Sequence, residues 1–321
     1  MTTSKPELTT ILISYNTKHL LDECFVALAR STAALASSDI VVVDNASRDG
    51  SADYIAERYP DVTLVRSPQN VGFGRANNLA WPHAGGSFIL LLNTDAFVAP
   101  DSLARSLAFM KDNPRCGIVG ARLVGRDGVE QPSFRRFPTP INSFLRRSGF
   151  SKWFPSVALV DSERLVPASA SECDWVPGCY YLIRRELIEQ VGLFDPRYFL
   201  YFEEVDHCFA AKQAGWSVFC DPSTTVVHIG GESAKSDGPV SSAGRQVSTL
   251  EIESALLFFR KNHGISCVVA HVLLDAAADA IIALRCLGSG NHNDSVRFRV
   301  RRIGSTLRLC LRTRLGSRPT R

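Results

Sequence analysis

The sequence predicts an α/β protein built on a doubly wound, parallel sheet. Three observations carry this reading. Short apolar runs alternate with segments of helical spacing, as β-α-β-α-β-α-β from Thr9 to Leu92. The runs Ile11-Leu12-Ile13, Ile40-Val41-Val42-Val43 and Phe88-Ile89-Leu90-Leu91-Leu92 are apolar without alternation, which marks strands buried on both faces. Each then stops at a polar cluster: Ser14-Tyr15-Asn16, Asp44-Asn45 and Asn93-Thr94-Asp95. Parallel strands would place all three clusters along one sheet edge, where open α/β sheets bind ligands.

Thr9 to Ser14 is the first strand. From Lys18 to Arg30, Leu20, Leu21, Cys24, Phe25 and Leu28 form one helical stripe. Ile40 to Val43 is the second strand, followed by a helix over Ser51 to Arg58 and a third strand at Val62 to Val65. Asn70 to Asn78 opens another helix. Its Gly72-Phe73-Gly74 invites a dinucleotide-loop reading, but Asn77 replaces the third glycine of G-x-G-x-x-G, and the loop follows the third strand rather than the first. Asp101 to Met110 reads as a helix and Cys116 to Val124 as a strand. Gly125 to Ala170 is the least regular region, with Arg135-Arg136 and Arg146-Arg147 among Phe150, Trp153 and Phe154. A loop that touches a phosphate-bearing or sugar ligand and a solvated linker both fit that composition. Asp174 to Ile183 is one strand-like apolar run, Arg184 to Val191 a short helix, and Trp216 to Cys220 a strand.

Three places carry candidate chemistry. An Asp just beyond a buried strand, as Asp95 is, can hold a hard divalent cation that binds phosphate oxygens. Asn and Asp at a strand end also close turns on their own backbone. Glu203, Glu204 and Asp206 follow the large residues Tyr198 to Phe202 and open a helix. Acids there complement the macrodipole, but three in four residues exceed that need, so a catalytic role is expected. His228 follows Val226-Val227 and precedes Gly230-Gly231, which permit close backbone approach to a ligand. Asp95 is its expected metal partner.

The 321 residues, 45% hydrophobic and 21% charged, have the balance of an ordinary globular protein. Net charge is only +4, but from Arg285 to the end there are ten Arg, no Lys and one acid, Asp294. Nine cysteines, odd in number and without a C-x-x-C pair, argue for reduced cytosolic thiols over a disulfide framework or zinc knuckle. The polar Met1 to Glu7 leads directly into a strand, so no secretory signal is expected. No uninterrupted run of 18 apolar residues occurs, so no clear membrane span is expected either. Val247 to Arg260 has helical spacing, and Ile265 to Leu287 reads as an amphipathic helix interrupted by His271, Asp275, Asp279 and Arg285. Ser295 to Leu315 mixes Arg with Val, Phe, Ile and Leu, which suits an anionic membrane surface. An RNA-binding arm and a disordered tail are the rivals. Few aromatics and no nucleic-acid module make nucleic acid an unexpected partner.

Six motifs then stand in order: Ser14-Tyr15-Asn16, Val43-Asp44-Asn45-Ala46-Ser47, Asn70-Val71-Gly72-Phe73, Leu92-Asn93-Thr94-Asp95, Glu203-Glu204-Val205-Asp206 and His228-Ile229-Gly230-Gly231. Over roughly residues 8 to 235 the chain resembles the inverting family 2 glycosyltransferases, most of all their bacterial rhamnosyltransferase-type branch. The resemblance implies a GT-A fold: α/β, with a mostly parallel central sheet and here a helical basic C-terminal extension. It implies a nucleotide-sugar-binding half over 1–120, an acceptor-binding and catalytic half over 121–264, and the extension over 265–321.

It further implies that Asp44 bonds the pyrimidine of a dTDP- or UDP-sugar beside Ser14, Tyr15 and Asn16, with Gly72, Asn77, Asn93 and Thr94 around the same ligand. Mg²⁺ or Mn²⁺ would be held by Asp95 and His228. Glu204 would be the catalytic base, with Glu203 and Asp206 the lesser candidates. Two departures stand out: Asn93 replaces the first acid of the acid-x-acid motif, and Glu204 replaces an Asp, one methylene shorter. The expected reaction moves a sugar, L-rhamnose from dTDP-L-rhamnose as the leading choice, to a glycan or polyprenyl-diphosphate-linked saccharide during cell-envelope polysaccharide synthesis. The expected location is cytoplasmic, peripheral on the inner face of the membrane. A sugar nucleotidyltransferase and a non-catalytic nucleotide-sugar-binding protein are the alternatives.

Overall fold

The seven residues of β1 (Leu8–Ser14) are all buried, as a central strand requires. The computed structural model describes residues 5–158, 168–230, 247–288 and 293–321. On one side β1 pairs in parallel with β2 (Ser38–Asp44), on the other with β4 (Phe88–Asn93). The register sets Ser14 opposite Asp44 and Ile13 opposite Asn93. β3 (Thr63–Arg66) extends the parallel half beyond β2, with Arg66 opposite Asp44. The three polar strand ends therefore share one edge, as the sequence predicts.

Past β4 the sheet changes direction. β9 (Tyr180–Arg184) lies antiparallel between β4 and β6 (Cys116–Val124). β10 (Ser217–His228) runs parallel to β6, with a register shift between Asp221 and Thr225. β5 (Ala96–Val98) pairs antiparallel with β10 and sets Ala96 opposite His228. The path is β3-β2-β1-β4-β9-β6-β10-β5, with β7 (Glu130–Gln131) on β6 and β8 (Ser171–Cys173) on β10. The run Asp174 to Ile183 is not one strand, because Pro177 has no N–H to donate and Gly178 follows it. Conversely, the stretch from Trp216 to His228 is mostly one long strand, bulged where Asp221 leaves register.

Two compact units emerge. Met1–Arg135, Ser162–Pro196 and Glu203–Val240 hold the whole sheet. With it go α1 (Leu21–Thr32), α2 (Ser51–Arg58), α3 (Phe73–Ala80), α4 (Ser102–Asp112), α7 (Arg185–Val191) and α8 (Glu203–Gln213). α1 buries Leu21, Cys24, Phe25 and Leu28, the stripe read from the sequence. These join Leu12, Val42, Leu90, Leu92, Val119 and Leu182 in one core. Burying each such side chain contributes about 1.5–3 kcal/mol. All nine cysteines are free thiols.

The second unit, Arg136–Asp161, Arg197–Phe202 and Ser241–Arg321, contains α5 (Pro140–Ser148), α6 (Pro155–Ala158), α9 (Val247–Gly288) and α10 (Asn293–Arg312). α5 lies in the region expected to be irregular. It is nucleated by a capping box: the Asn142 amide donates to Thr139 Oγ1 at 3.1 Å and the Thr139 amide to Asn142 Oδ1 at 2.7 Å, with Pro140 in the first turn. α9 joins the two expected C-terminal helices across a kink at Gly264, whose φ of 82° lies outside the helical region. By length and composition Thr249–Leu287 is apolar enough to cross a membrane, where the sequence reading expected no clear span. The few polar residues do not offset the apolar average.

The chain end is not a loose arm. Thr320 donates through its amide and hydroxyl to the buried Glu253 carboxylate on α9, at 2.6 and 2.8 Å.

Candidate active site

The site is assembled where β1, β2 and β4 stop. The β2 loop is laced to the β1 loop by hydrogen bonds. The Asn45 amide donates to the Ser14 carbonyl at 2.8 Å, the Asn16 amide to Ser47 Oγ at 3.0 Å, and the Arg48 amide to Asn16 Oδ1 at 2.6 Å. Asn16 and Ala46 both adopt positive φ, 55° and 65°, the tight turns this lacing imposes. Ser14 and Thr94 are buried and linked through Thr17, at 3.4 and 2.9 Å, so both hydroxyls serve the scaffold. Tyr15 is half-buried in the same turn.

Asp44 is 4% exposed. Its Oδ1 accepts the Ser47 amide at 3.0 Å, while its Oδ2 is buried without a hydrogen-bond partner. An orphaned carboxylate oxygen costs free energy unless a ligand supplies a donor. Asp44 also lines a pocket of about 320 Å³ with Ala46, Ser47, Gly50, Ala52, Asp53, Arg66, Ser67 and Pro68. The neighbouring Asn45 organises the next loop: its Oδ1 accepts the Val71 amide at 2.9 Å and its Nδ2 donates to Asn70 Oδ1 at 3.0 Å. Gly72 enters α3 at φ 88°, its amide bonded to Asn70 Oδ1. Asn77 is fully buried on α3, with Nδ2 bonded to the Phe73 carbonyl and Oδ1 lacking a partner.

β4 ends at the half-buried Asn93, whose amide donates to the Cys179 carbonyl at 3.1 Å. Two residues on, Asp95 is 5% exposed. Because β5 and β10 pair here, the Asp95 carbonyl accepts the Ile229 amide at 3.0 Å, and Asp95 Oδ1 lies 3.6 Å from His228 Nε2. Gln131 fixes the imidazole: its Oε1 stands 2.9 Å from Nδ1 and its Nε2 donates to the His228 carbonyl at 2.8 Å. An amide oxygen only accepts, so Nδ1 carries the proton and the Nε2 lone pair faces Asp95. Burial pushes the His228 pKa down, although the Asp95 charge opposes it. Two acceptor atoms thus converge with no proton between them, a pair suited to one divalent cation. Among the described residues no group of three His, Cys, Asp or Glu side chains gathers, so further ligands would come from substrate and water. Gly231, the last residue of the His228 motif, lies outside the described residues.

α8 supplies the carboxylates. Glu203 and Asp206 are buried and Glu204 is half-buried. Burial raises the Glu203 pKa well above the usual range, and the Glu204 charge adds to the rise. Burial raises Glu204 as well, opposed by the first amides of α8 and by the Arg135 guanidinium. Each keeps a buried Oε2 without a hydrogen-bond partner. The arrangement favours Glu203 as the protonated member and Glu204 as the carboxylate. Gly74 packs directly against Glu203, and Gly178 against Phe73 beside Glu204. A Cβ on Gly74 would meet Glu203 Cβ at 3.4 Å, and one on Gly178 would meet Phe73 Cε1 at 3.3 Å and Glu204 Cβ at 4.0 Å. Cys179 links the two halves of the site. Burial pushes its thiol up to about 12, and the charges of both Asp95 and Glu204 act on it in the same direction.

Gln131 was not among the residues singled out by sequence, and Arg135 was read only as part of an irregular loop fitting either a phosphate-bearing or sugar ligand or a solvated linker. The available signal was Asp127-Gly128, a turn dipeptide that closes the β6–β7 hairpin, with Gly128 at φ 78°. The hairpin puts Gln131 opposite Leu123, beside the end of β10.

Comparison with known proteins agrees with this architecture. The chain is 29% identical over 231 residues to an N-acetylglucosaminyl-diphospho-decaprenol L-rhamnosyltransferase of Mycobacterium tuberculosis, covering 68% of this chain and 74% of that one. It is 25% identical over 171 residues to an Escherichia coli K12 rhamnosyltransferase, covering 49% and 60%. A mannosyltransferase of Pyrobaculum calidifontis, solved in complex with GDP-Man and Mn²⁺, shares the fold at a TM-score of 0.57 and 18% identity, over 97% of this chain and 87% of that one. This likeness establishes a GT-A fold. The family model Glycosyl transferase family 2 matches residues 9–192, more than half of the chain. The chain is thus similar to rhamnosyltransferases and belongs to glycosyl transferase family 2.

Proposed function

We propose that this enzyme moves a sugar, with inversion, from a nucleoside diphosphate to a hydroxyl of a lipid-linked saccharide. dTDP-L-rhamnose is the leading donor, on the strength of the rhamnosyltransferase relatives. The diphospho-decaprenol named in the mycobacterial relative supports a lipid-linked acceptor, and with it a role in cell-envelope polysaccharide synthesis. The observation that carries the reading is the Asp95 Oδ1 and His228 Nε2 pair, 3.6 Å apart, with Nδ1 held by Gln131.

The residues divide the work by charge. Asp44 presents Oδ2 to a base N–H, and the pocket beside it accepts the nucleoside. Asp95 and His228 would hold Mg²⁺ or Mn²⁺, which supplies positive charge where the departing diphosphate becomes more negative. Glu204 takes the proton of the attacking acceptor hydroxyl. Glu203, kept protonated by burial, spares the pair a second charge and leaves Glu204 as the single base. In this single displacement the acceptor hydroxyl itself attacks opposite the departing diphosphate while Glu204 takes its proton, so the product is inverted. A double displacement would use a carboxylate on that same face as the nucleophile, with the acceptor entering from the leaving-group side. Neither a nucleotidyltransferase nor a non-catalytic binder requires a carboxylate pair so placed.

The test uses the full chain, a panel of dTDP-, UDP- and GDP-sugars and a polyprenyl-diphosphate saccharide acceptor, reading nucleoside diphosphate release. The expected result is release from a dTDP-sugar that needs divalent metal and vanishes in Asp95→Ala. Full turnover by the wild-type chain in excess EDTA would refute the metal assignment. Release from a GDP-sugar alone would refute the donor.

A further inference from the structure

The second unit holds five charged side chains that the chemistry does not use. Asp275 and Asp279 lie one turn apart on α9, both buried. Arg147 of α5 bridges them, contacting Asp275 and reaching Asp279 Oδ1 at 2.5 Å. From α10, Arg302 reaches Asp275 Oδ2 at 2.7 Å and Asp279 Oδ2 at 3.0 Å, while Arg299 stands 3.3 Å from Asp279 Oδ1. Breaking such a cluster strands buried charge. A membrane-crossing α9 would have to part from α5 and α10 and leave both carboxylates unpaired in hydrocarbon. The cluster ties α9 to α5 and α10 as one bundle.

Among the described residues, the opposite faces of the same helices carry exposed apolar side chains. On α9, Ile265, Val269, Leu273, Leu284 and Leu287 are all exposed, Leu273 at 64% and Leu284 at 68%. On an ideal helix they fall within about 100° of arc and run about 33 Å. On α10, Val300, Leu307 and Leu311 are exposed, Leu311 at 81%. Beside them stand Arg297, Arg301, Arg308 and Arg312, all exposed and within about 60° of one another. From Lys261 to the chain end the only acids are Asp275, Asp279 and Asp294, and the first two are consumed internally. A second copy of this surface would set arginine against arginine. Anionic lipid headgroups above an apolar layer match it instead.

We propose that α9 from Ile265 onward and α10 form a surface that lies flat on an anionic bilayer, with Ile265, Val269, Leu273, Leu284, Leu287, Val300, Leu307 and Leu311 entering the acyl boundary and Arg297, Arg301, Arg308 and Arg312 meeting headgroups. The surface is read without turnover, so it stands or falls independently of the donor and metal. It has a use in the proposed reaction, since a polyprenyl-linked acceptor sits in the same bilayer.

The experiment is vesicle sedimentation of the full chain with phosphatidylcholine alone and with 30% phosphatidylglycerol. Binding is expected only to the anionic vesicles, weakened by raised salt but not abolished. The protein is expected to be released by alkaline carbonate. Each arginine near an anionic surface multiplies affinity roughly fivefold, so Arg297→Gln, Arg301→Gln, Arg308→Gln and Arg312→Gln together should cost on the order of 100-fold or more. Leu307→Ser with Leu311→Ser should remove the salt-resistant remainder. Equal binding to both vesicle types, or equal binding by wild type and the arginine variant, overturns the proposal. So does resistance to carbonate, which would mean a spanning α9. Preference for an RNA oligomer over anionic vesicles, or a stable dimer that the leucine substitutions dissociate, overturns it as well.

Discussion

Gln131→Leu tests the geometry around the proposed metal ligand. The substitution keeps most of the side-chain volume and removes two bonds, the acceptor for His228 Nδ1–H at 2.9 Å and the donor to the His228 carbonyl at 2.8 Å. Net hydrogen bonds of this kind are each worth about 0.5–1.5 kcal/mol, so the pair represents about 1–3 kcal/mol, or roughly 5- to 150-fold. Partners that orient a metal-bound histidine typically tune affinity by about 10–100-fold, in the same range. The assay is Mn²⁺ binding to the full chain in the presence of dTDP, followed by the free-ion paramagnetic resonance signal. A nitrogen-15 spectrum of the metal-free protein should show His228 leaving the Nδ1–H tautomer. Gln131→Glu keeps an acceptor for Nδ1–H and loses only the donor, so it should recover much of the affinity. Wild-type Mn²⁺ affinity in Gln131→Leu, with the tautomer unchanged, would refute the reasoning.

Two further outcomes follow from the orphaned carboxylates. Asp44→Ala should raise the donor KM by about 10-fold or more, the worth of a hydrogen bond to a charged group, with a smaller effect on kcat; an unchanged KM removes Asp44 from the base pocket. Glu203 has its pKa raised by burial, so its burden on folding is absent below the unfolded value near 4.5 and grows as pH rises above it. Glu203→Gln should therefore raise Tm at pH 7 to 8, with the gain shrinking as pH falls toward 4.5. A Tm gain that does not depend on pH would contradict the buried-carboxyl account.

The parallel half of the sheet was legible because β1, β2 and β4 are buried on both faces and carry continuous apolar runs. Their strand-end clusters were legible for the same reason, since parallel register alone brings Ser14, Asp44 and Asn93 together. The antiparallel half was less readable. β9 inserts between β4 and β6 through long-range pairing that no local pattern encodes, and the bulge at Asp221 hid the continuity of β10. α5 was missed because its nine residues are too short for a clear stripe, although Thr139, Pro140 and Asn142 spell its capping signal. Gln131 was invisible as a partner of His228, which lies 97 residues away. The arginine count at the C-terminus was correct, but the sequence could not say that Arg299 and Arg302 turn inward to Asp275 and Asp279.

The central claim is that Glu204, of the three carboxylates on α8, takes the acceptor proton while Asp95 and His228 serve the leaving group. Its most direct test is the turnover of Glu204→Gln, measured with donor affinity on the same preparation. The account predicts a loss of about 10²–10⁴-fold in kcat, the usual contribution of a general base, with donor affinity unchanged. Near wild-type turnover in Glu204→Gln, with the loss appearing instead in Glu203→Gln or Asp206→Asn, would contradict it.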